Sequence, residues 1–296
     1  MDKLVATFPK MGRIANKNIS IQTVIAVAIT ILEVGFLLWR FSSWYYDDPF
    51  ITYRYTWNLI HGLGFVYNPG ERVLSTTTPL FTLLLTGFGF LGVDIPKTAT
   101  IIGAVCSGLS GLIFWDIARQ WKMNIAGWAG LLLLPSFPLV ASTISSETPL
   151  YIALALGALD GFTHRRYRLT ALLAALLVLT RPDGIILPVL LVIFFLMEKR
   201  GPIPRMAIGM FLMIILFWFG FAWIYFGSPI PVSLVAKQQQ GIMTISQRFA
   251  PGFINMIETK YIRDTKITDL FIRKKVFILQ LFCIFSSSLG CPPERA

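Results

Sequence analysis

An all-α membrane protein with several transmembrane helices is the fold class that the sequence predicts, and two observations predict it. Of the 296 residues, 55% are hydrophobic and only 14% are charged, and the mean hydropathy is +0.68, far more apolar than a soluble domain needs. Apolar stretches of roughly 20 residues, the length that crosses about 30 Å of hydrocarbon, recur between Ile19 and Phe226. Most of the chain is therefore expected to lie in lipid.

Seven segments before Gly227 are predicted to cross the membrane, with bounds of 19–39, 98–117, 125–142, 148–161, 169–179, 184–197 and 206–226. The segment 79–93 is also apolar, but it is short, and its glycines make the second half a weak helix. It is therefore predicted to re-enter the membrane or to lie on its surface without crossing.

The distribution of basic residues predicts the orientation. If 79–93 does not cross and residues 1–18 are cytoplasmic, the Lys and Arg residues in 3–17, 119–122, 165–168 and 199–205 all lie on the cytoplasmic side, as the positive-inside rule requires. The remaining polar clusters then fall on the opposite side, and they contain Asp47, Asp48, Glu147, Arg181, Asp183 and Lys237. Polar chemistry is thus expected at one membrane face.

The composition also excludes several classes of function. The net charge of +11 does not indicate a nucleic-acid partner, because the basic residues lie in short loops between apolar runs. No soluble stretch is long enough to fold a Rossmann or P-loop nucleotide domain. The three cysteines, Cys106, Cys283 and Cys291, have neither the spacing of a zinc site nor that of a disulfide framework.

The first outer loop is predicted to contain an amphipathic helix over 49–61. Asp48-Pro49 is typical of an N-cap followed by proline at the first helical position, and His61-Gly62 is typical of a helix C-terminus. The apolar stripe has helical spacing and consists of Phe50, Tyr53, Trp57 and Ile60. Such a helix is expected to lie flat in the membrane interface.

The adjacent carboxylates Asp47 and Asp48, at the outer end of the first span, are the strongest catalytic candidates. A carboxylate held there can act as a general base or a metal ligand. Asp48 has a structural alternative, since it fits the N-cap of the following helix. Asp47 has no such alternative, and the mutual repulsion of the pair favours a function.

Glu147, Arg181 and Lys237 each have a functional and a structural interpretation. Glu147 either belongs to the site or is an acid favourably placed at a helix N-terminus. Arg181 either binds a phosphate with its fork of donors or forms a local ion pair with Asp183 in a turn between helices. Lys237 either binds a phosphate or a lipid headgroup.

Other ionisable residues are interpreted more conservatively. Glu33 lies inside the first span, where it is either functional or protonated and bonded to a neighbouring helix. Asp116 and Asp160 are expected to pair with Arg119 and Arg165. The two histidines, His61 and His164, have no carboxylate or cysteine partners at ligand spacing, so neither is predicted to bind a metal.

Six fragments, in order, carry a resemblance to a known family: 46–55 (YDDPFITYRY), 68–73 (NPGERV), 78–80 (TPL), 147–150 (ETPL), 180–184 (TRPDG) and 227–231 (GSPIP). Over about residues 20–240 the chain resembles bacterial GT-C membrane glycosyltransferases, in the branch similar to mycobacterial terminal arabinofuranosyltransferases. The resemblance implies a GT-C-like bundle of about seven or more transmembrane helices in the bacterial inner membrane.

The resemblance also implies an activity. Such enzymes pass a sugar from a polyprenyl-phosphate donor to an acceptor hydroxyl of a glycan, glycolipid or glycoprotein on the extracytoplasmic side. Asp47 would be the base with Asp48 as second choice, Arg181 and Lys237 would face the donor phosphate, and a single displacement would invert the sugar. Glu147, Asp183 and Arg54 would shape the site. Whether a divalent metal ion takes part stays open, and its ligands would be Asp47 and Asp48.

The sequence predicts three regions and leaves alternatives open. The regions are a basic cytoplasmic tail (1–18), a catalytic core (19–236) that includes the first outer loop (40–97), and a polar and basic tail (237–296). The last region loses the resemblance, so a truncated or frameshifted gene is one alternative, and its product would be catalytically silent. A transporter or flippase for a lipid-linked sugar is the other.

Overall fold

The computed structural model describes residues 20–44, 46–198 and 201–232, and within these ranges every regular element is a helix. The predictions about the two tails and about Lys237 concern residues outside these ranges. The helices are α1 (Ile21–Arg40), α2 (Pro49–Ile60), α3 (Pro79–Gly89), α4 (Ile95–Gln120), α5 (Asn124–Ser136), α6 (Pro138–Ser142), α7 (Thr148–Thr163), α8 (Tyr167–Thr180), the 3₁₀ helix η1 (Pro182–Ile185), α9 (Ile186–Met197) and α10 (Arg205–Phe226).

Four helical segments are long and apolar enough to cross a membrane, namely α1, α4, the α5–α6 pair and α10. The chain is therefore an α-helical membrane protein. Helices α7 and α8 are also apolar but have only 16 and 14 residues, or about 21–24 Å at 1.5 Å per residue. That these two helices and the η1–α9 unit also cross stays a prediction.

The outer surface of the bundle is apolar, as lipid contact requires. Helix α10 leaves Ile224 86% and Phe217 79% exposed, and α1 leaves Leu32 73% exposed. Water would make such a surface strongly unfavourable, whereas hydrocarbon does not.

Helix α4 lies at the centre and packs against α1, α5 and α7. Its glycines allow close approach, because Gly103 faces the Ile144 backbone, Gly108 faces α1 and Gly111 faces α5. Small residues at such contacts let helices meet at short distance in a membrane. The close contact at Gly103 fixes the segment that leads into α7.

Helices α1 and α4 run antiparallel. Near the end of α1, Leu37 packs with Ala104 and Ile144, whereas near its start Ala26 packs with Trp115, late in α4. The chain therefore leaves α1 and enters α4 at the same end of the bundle. The intervening α2 and α3 also lie at this end, so α3 does not run the length of the bundle.

Helices α2 and α3 lie side by side and parallel. The hydroxyls of Thr52 and Thr78 are 3.1 Å apart, and Thr56 Oγ1 donates to the Thr82 carbonyl at 3.4 Å. At the other end of the pair, Gly89 of α3 faces Ile60 of α2. Helix α3 ends at Gly89, within the glycine-containing stretch that the sequence marks as weak.

The glycines at the end of α3 and just beyond it have the spacing GxGxxG at 87–92, which is also the spacing of a dinucleotide-binding turn. That motif requires a strand before it and a helix beginning within it. Here the stretch instead ends α3, so it carries no nucleotide-binding geometry.

Helix α2 confirms the predicted bounds to within a residue, whereas its position flat in the membrane interface stays a prediction. Of the apolar stripe, Tyr53 is buried, whereas Phe50 and Trp57 are 48% and 43% exposed. The polar face is buried instead and consists of Thr52, Thr56 and Asn58, together with Tyr55. Neighbouring segments bond Thr52, Thr56 and the Asn58 amide nitrogen, whereas Asn58 Oδ1 is buried without a partner among the described residues. Periodicity alone does not reveal these contacts.

Asn58 is fully buried and fastens the loop after α2. Its amide donates to the carbonyls of Val66 and Tyr67 at 2.7 and 2.9 Å. We expect Asn58→Ala to lower the free energy of unfolding by about 1 to 2 kcal/mol, because the buried Val66 carbonyl loses its donor, whereas the part-buried Tyr67 carbonyl keeps the Arg54 Nε–H. Thermal unfolding in detergent measures the change. The exposed Asn68→Ala is the control, expected within about 0.5 kcal/mol of wild type, and equal loss in both variants would contradict the argument.

Candidate functional site

The acidic pair lies directly before α2, and both side chains are exposed. Asp48 occupies the N-cap position, but its backbone is already helical (φ −56°, ψ −44°) and its side chain makes no capping bond. An N-cap side chain needs an extended backbone to reach the first free N–H groups. The interpretation of Asp48 as a cap is therefore wrong. Instead, Asp47 Oδ1 accepts a hydrogen bond from the Asp48 backbone N–H at 2.9 Å.

Arg181 links two other segments at the same end of the bundle. It stands between α8 and η1 with an extended backbone (φ −153°, ψ 138°), which the following proline favours. Its Nη1 donates to Glu147 Oε1 at 3.2 Å. Its Nε and Nη2 donate to the two carboxylate oxygens of Asp183 at 3.1 and 3.4 Å.

The predicted Arg181–Asp183 ion pair is thus confirmed, and Glu147 joins it across 34 positions of sequence. Glu147 stands at the N-cap of α7 but does not cap the helix. A guanidinium has five N–H donors, and these bonds use three of them. Within the described part of the chain, two donors therefore remain for a further anion, and the side chain is 41% exposed.

Electrostatic effects connect these groups to the acidic pair. Burial raises the pKa of Glu147, the Arg181 guanidinium only partly offsets this rise, and the Asp48 carboxylate adds to it. Burial also raises the pKa of Tyr46, the Ser146 side chain lowers it, and the carboxylates of Glu147, Asp48 and Asp47 raise it further. These groups therefore influence one another electrostatically. The set is called the acidic cluster and consists of Tyr46, Asp47, Asp48, Glu147, Arg181 and Asp183.

Several contacts around the acidic cluster could not be predicted from the sequence. Tyr53 of α2 donates its hydroxyl to the Ser145 carbonyl at 2.5 Å, and Trp44 Nε1 donates to the Ser142 carbonyl at 3.0 Å. The Arg181 guanidinium lies 5.7 Å from the Tyr151 ring centroid. The first two contacts join segments more than 90 positions apart, and the third joins residues 30 positions apart, so no local pattern predicts them.

Arg54 and Glu33 lie apart from the acidic cluster. Arg54 Nε donates to the Tyr67 carbonyl at 3.4 Å, and its guanidinium lies 5.7 Å from the Trp57 ring centroid. Glu33 lies within α1, and within the described part of the chain one of its carboxylate oxygens is buried without a hydrogen-bond partner. Lys237 lies outside the described residues.

Among the described residues, one group of three side chains could hold a metal ion, with ligand atoms within 4.8 Å of one another. It consists of Asp116, Asp160 and His164. Asp47 and Asp48 do not belong to it. It lies at the other end of α4 and α7. Arg119 and Gln120 already donate to Asp116 at 2.6 and 2.8 Å.

The expected partner of Asp160 is different from the observed one. Asp160 lies 3.2 Å from His164 Nδ1, one helical turn later, whereas its predicted partner Arg165 is exposed. The prediction that His164 has no carboxylate partner is wrong, because i and i+4 positions meet on one helix face. The Asp116–Arg119 pair is confirmed.

Comparisons with protein-family models, curated proteins and solved structures give no match to this chain. A functional conclusion therefore rests on the sequence pattern and on the geometry of the acidic cluster.

The pH dependence of stability tests the environment of Glu147. Because burial raises its pKa, the folded protein holds this proton more tightly than the unfolded chain does. The free energy of unfolding then falls as the pH rises from the ordinary value of a glutamate towards the raised pKa. Relative to wild type, Glu147→Gln is expected to gain stability across this window, as measured by thermal unfolding in detergent. A difference that stays constant with pH would contradict the assignment.

Proposed function

We propose that the chain is a membrane glycosyltransferase of the GT-C type, which moves a sugar from a polyprenyl-phosphate donor to an acceptor hydroxyl. The observation that supports this most is the acidic cluster, in which residues from three separate segments meet at one end of the bundle. Two of the segments supply carboxylates beside one guanidinium, and the third supplies Asp47 and Asp48. The order of the six sequence fragments supports the same proposal.

In the proposed reaction, Asp47 is the general base. The acceptor hydroxyl gives its proton to the Asp47 carboxylate while its oxygen forms a bond to C1 of the sugar. The bond between C1 and the phosphate oxygen breaks, and its electrons leave with the polyprenyl phosphate. This single displacement inverts the configuration at C1 and needs a carboxylate within hydrogen-bonding reach of the hydroxyl.

Arg181 is proposed to stabilise the departing phosphate. Glu147 and Asp183 hold the guanidinium in place, and its two remaining donors suit a phosphate, since such donors aimed at developing charge stabilise a transition state. The acidic cluster contains four carboxylates and one guanidinium, so a phosphate also needs further positive charge. Lys237 or a divalent ion at Asp47 and Asp48 is proposed to supply it.

The donor is proposed to enter sideways from the bilayer. At this end of the bundle the aromatic side chains of Trp44, Phe50 and Trp57 are 42–48% exposed. Such rings are typical of the interface between hydrocarbon and headgroups. A polyprenyl chain can therefore stay in lipid while its phosphate and sugar reach the acidic cluster.

The test uses the full chain in proteoliposomes that contain a radiolabelled polyprenyl-phosphate sugar and candidate acceptors. The proposal expects label in the acceptor. Movement of the labelled lipid between leaflets without transfer would favour the transporter alternative, and neither activity would favour a silent protein. Chelation with EDTA and the Lys237→Gln variant separate the two sources of additional positive charge.

A second experiment tests the proposed extracytoplasmic location of the site. Glu147→Cys is introduced after the native cysteines are replaced, and an impermeant thiol reagent is applied to intact cells. We expect the reagent to label position 147 in intact cells. A cysteine placed in the N-terminal tail is expected to react only after lysis. Labelling of position 147 only from the cytosol would contradict the proposed location.

A further inference from the structure

A second polar feature lies at the end of the bundle opposite the acidic cluster. It is a cavity of about 600 Å³ whose lining includes four arginines, Arg165, Arg166, Arg168 and Arg205. The remaining lining residues are Tyr167, Leu169, Pro204, Met206 and Ala207. Helix α7, of 16 residues, separates this cavity from Glu147 by about 24 Å.

Two segments distant in sequence bring the arginines together. Arg165 and Arg166 form the turn between α7 and α8, and Arg168 lies in the first turn of α8, whereas Arg205 begins α10. Helices α8 and α10 pack against each other, and both begin at this cavity. Tyr167 anchors the turn, because its ring packs edge-on against Phe195 at a centroid distance of 5.4 Å.

The arginines of this cavity have no ion-pair partner in the described part of the protein. Arg119 and Arg181 have carboxylates within 4.0 Å, whereas none of the four cavity arginines forms such an ion pair with a described residue. Like charges that share one cavity repel each other. The N-terminal ends of α8 and α10 add partial positive charge. An anion in the cavity would relieve this repulsion.

Membrane topology explains why basic residues occur in these loops, but it does not require them to line one cavity. The lining also has an apolar part, since Met206 and Leu169 are 66% and 38% exposed. Guanidiniums bind phosphate through paired donors, and apolar side chains beside them suit an acyl chain. Free phosphate would leave this apolar part uncovered.

We propose that the arginine cavity binds the headgroup of an anionic lipid that carries more than one phosphate charge. Basic pockets between transmembrane helices are suited to such headgroups, and the volume falls within the range of roughly 300–1,000 Å³ common for ligand sites. This site is separate from the acidic cluster and does not depend on the proposed transferase activity.

The test separates headgroup recognition from topology. The full chain is placed in nanodiscs of phosphatidylcholine with or without 10% cardiolipin, about one lipid in ten, and retained lipid is quantified by native mass spectrometry. The key variant carries Arg166→Lys, Arg168→Lys and Arg205→Lys, which keeps every positive charge but removes the paired donors of three of the four cavity arginines. We expect cardiolipin retention to weaken at least about tenfold, while cysteine labelling shows unchanged orientation.

Two further arms complete the test. Lys122→Gln is the control, because Lys122 is an exposed cation at the same end that does not line the cavity, and it is expected to retain cardiolipin like wild type. Inorganic pyrophosphate is the competitor, and it is expected to displace cardiolipin poorly. Equal retention by the triple-lysine variant and wild type would overturn the site, and efficient displacement by pyrophosphate would overturn the assignment to lipid.

Discussion

Asp47→Asn is expected to lower the rate of sugar transfer by about 10²- to 10⁴-fold, the range typical of losing a general base. The amide keeps the shape of the side chain, and its oxygen can still accept the hydrogen bond from the Asp48 backbone N–H. It cannot take the proton of the acceptor hydroxyl. We therefore expect kcat to fall while KM for the lipid donor changes little. Transfer of radiolabelled sugar in proteoliposomes, at saturating donor, measures the effect.

Asp48→Asn is the matched control. Asp48 is adjacent, exposed and carries the same charge, and its side chain makes no capping bond that the substitution could break. Where transfer is insensitive to EDTA, we expect it to retain at least about a tenth of wild-type activity, because it changes the local charge but leaves the base in place. Thermal unfolding of both variants checks that they fold. A large loss in Asp48→Asn with normal transfer in Asp47→Asn would move the role of base to Asp48.

Gly103→Ala is expected to have the largest effect on stability, with a loss of about 3 kcal/mol or more in the free energy of unfolding. A Cβ at this position would overlap the carbonyl oxygen of Ile144. The contact is with backbone, so a change of rotamer cannot relieve it. Helix α4 and the segment before α7 must move apart. Glu147 follows Ile144 by three positions, so sugar transfer is expected to fall as well.

Gly35→Ala provides the control for helix propensity. Gly35 lies in α1, and an added Cβ there meets no atom within 4 Å. Alanine in a helix interior is more favourable than glycine by up to about 1 kcal/mol, so this variant is expected to match or exceed wild type. Unfolding of the detergent-purified protein can be followed with a thiol-reactive dye, which reacts with the buried Cys106 once that residue becomes exposed. Equal stability of Gly103→Ala and Gly35→Ala would show that α4 tolerates a side chain at the contact.

The helices could be predicted from local sequence because local chemistry determines them. Proline at the first position and a turn after His61 define α2, and glycine weakens the chain where α3 ends. The orientation of α2 could not be predicted, because it depends on a distant partner. Thr78 supplies a hydroxyl to Thr52, and the carbonyls of the following loop accept from Asn58. Periodicity places apolar side chains on one face but does not show which face meets protein and which meets lipid.

The sequence predicts individual residues of the acidic cluster, but it does not predict how they are arranged. Asp47, Glu147 and Arg181 stand out because polar residues are unusual at the ends of apolar runs. Their mutual contacts depend on how α1, α7 and α8 pack, so the Glu147–Arg181 bond and the involvement of Tyr46 were not foreseeable. The His164–Asp160 contact, by contrast, follows the ordinary i, i+4 rule and could have been predicted.

The two carboxylates on Arg181 also have a consequence for selectivity among anions. Any incoming ion competes with Glu147 and Asp183, which already hold the guanidinium. A singly charged anion such as chloride or acetate competes poorly, because two carboxylates already bind the guanidinium. An anion that arrives with its own cation offsets the charge of the surrounding carboxylates and can take the two donors that no described residue uses. We therefore expect Arg181 to bind simple monoanions such as chloride weakly.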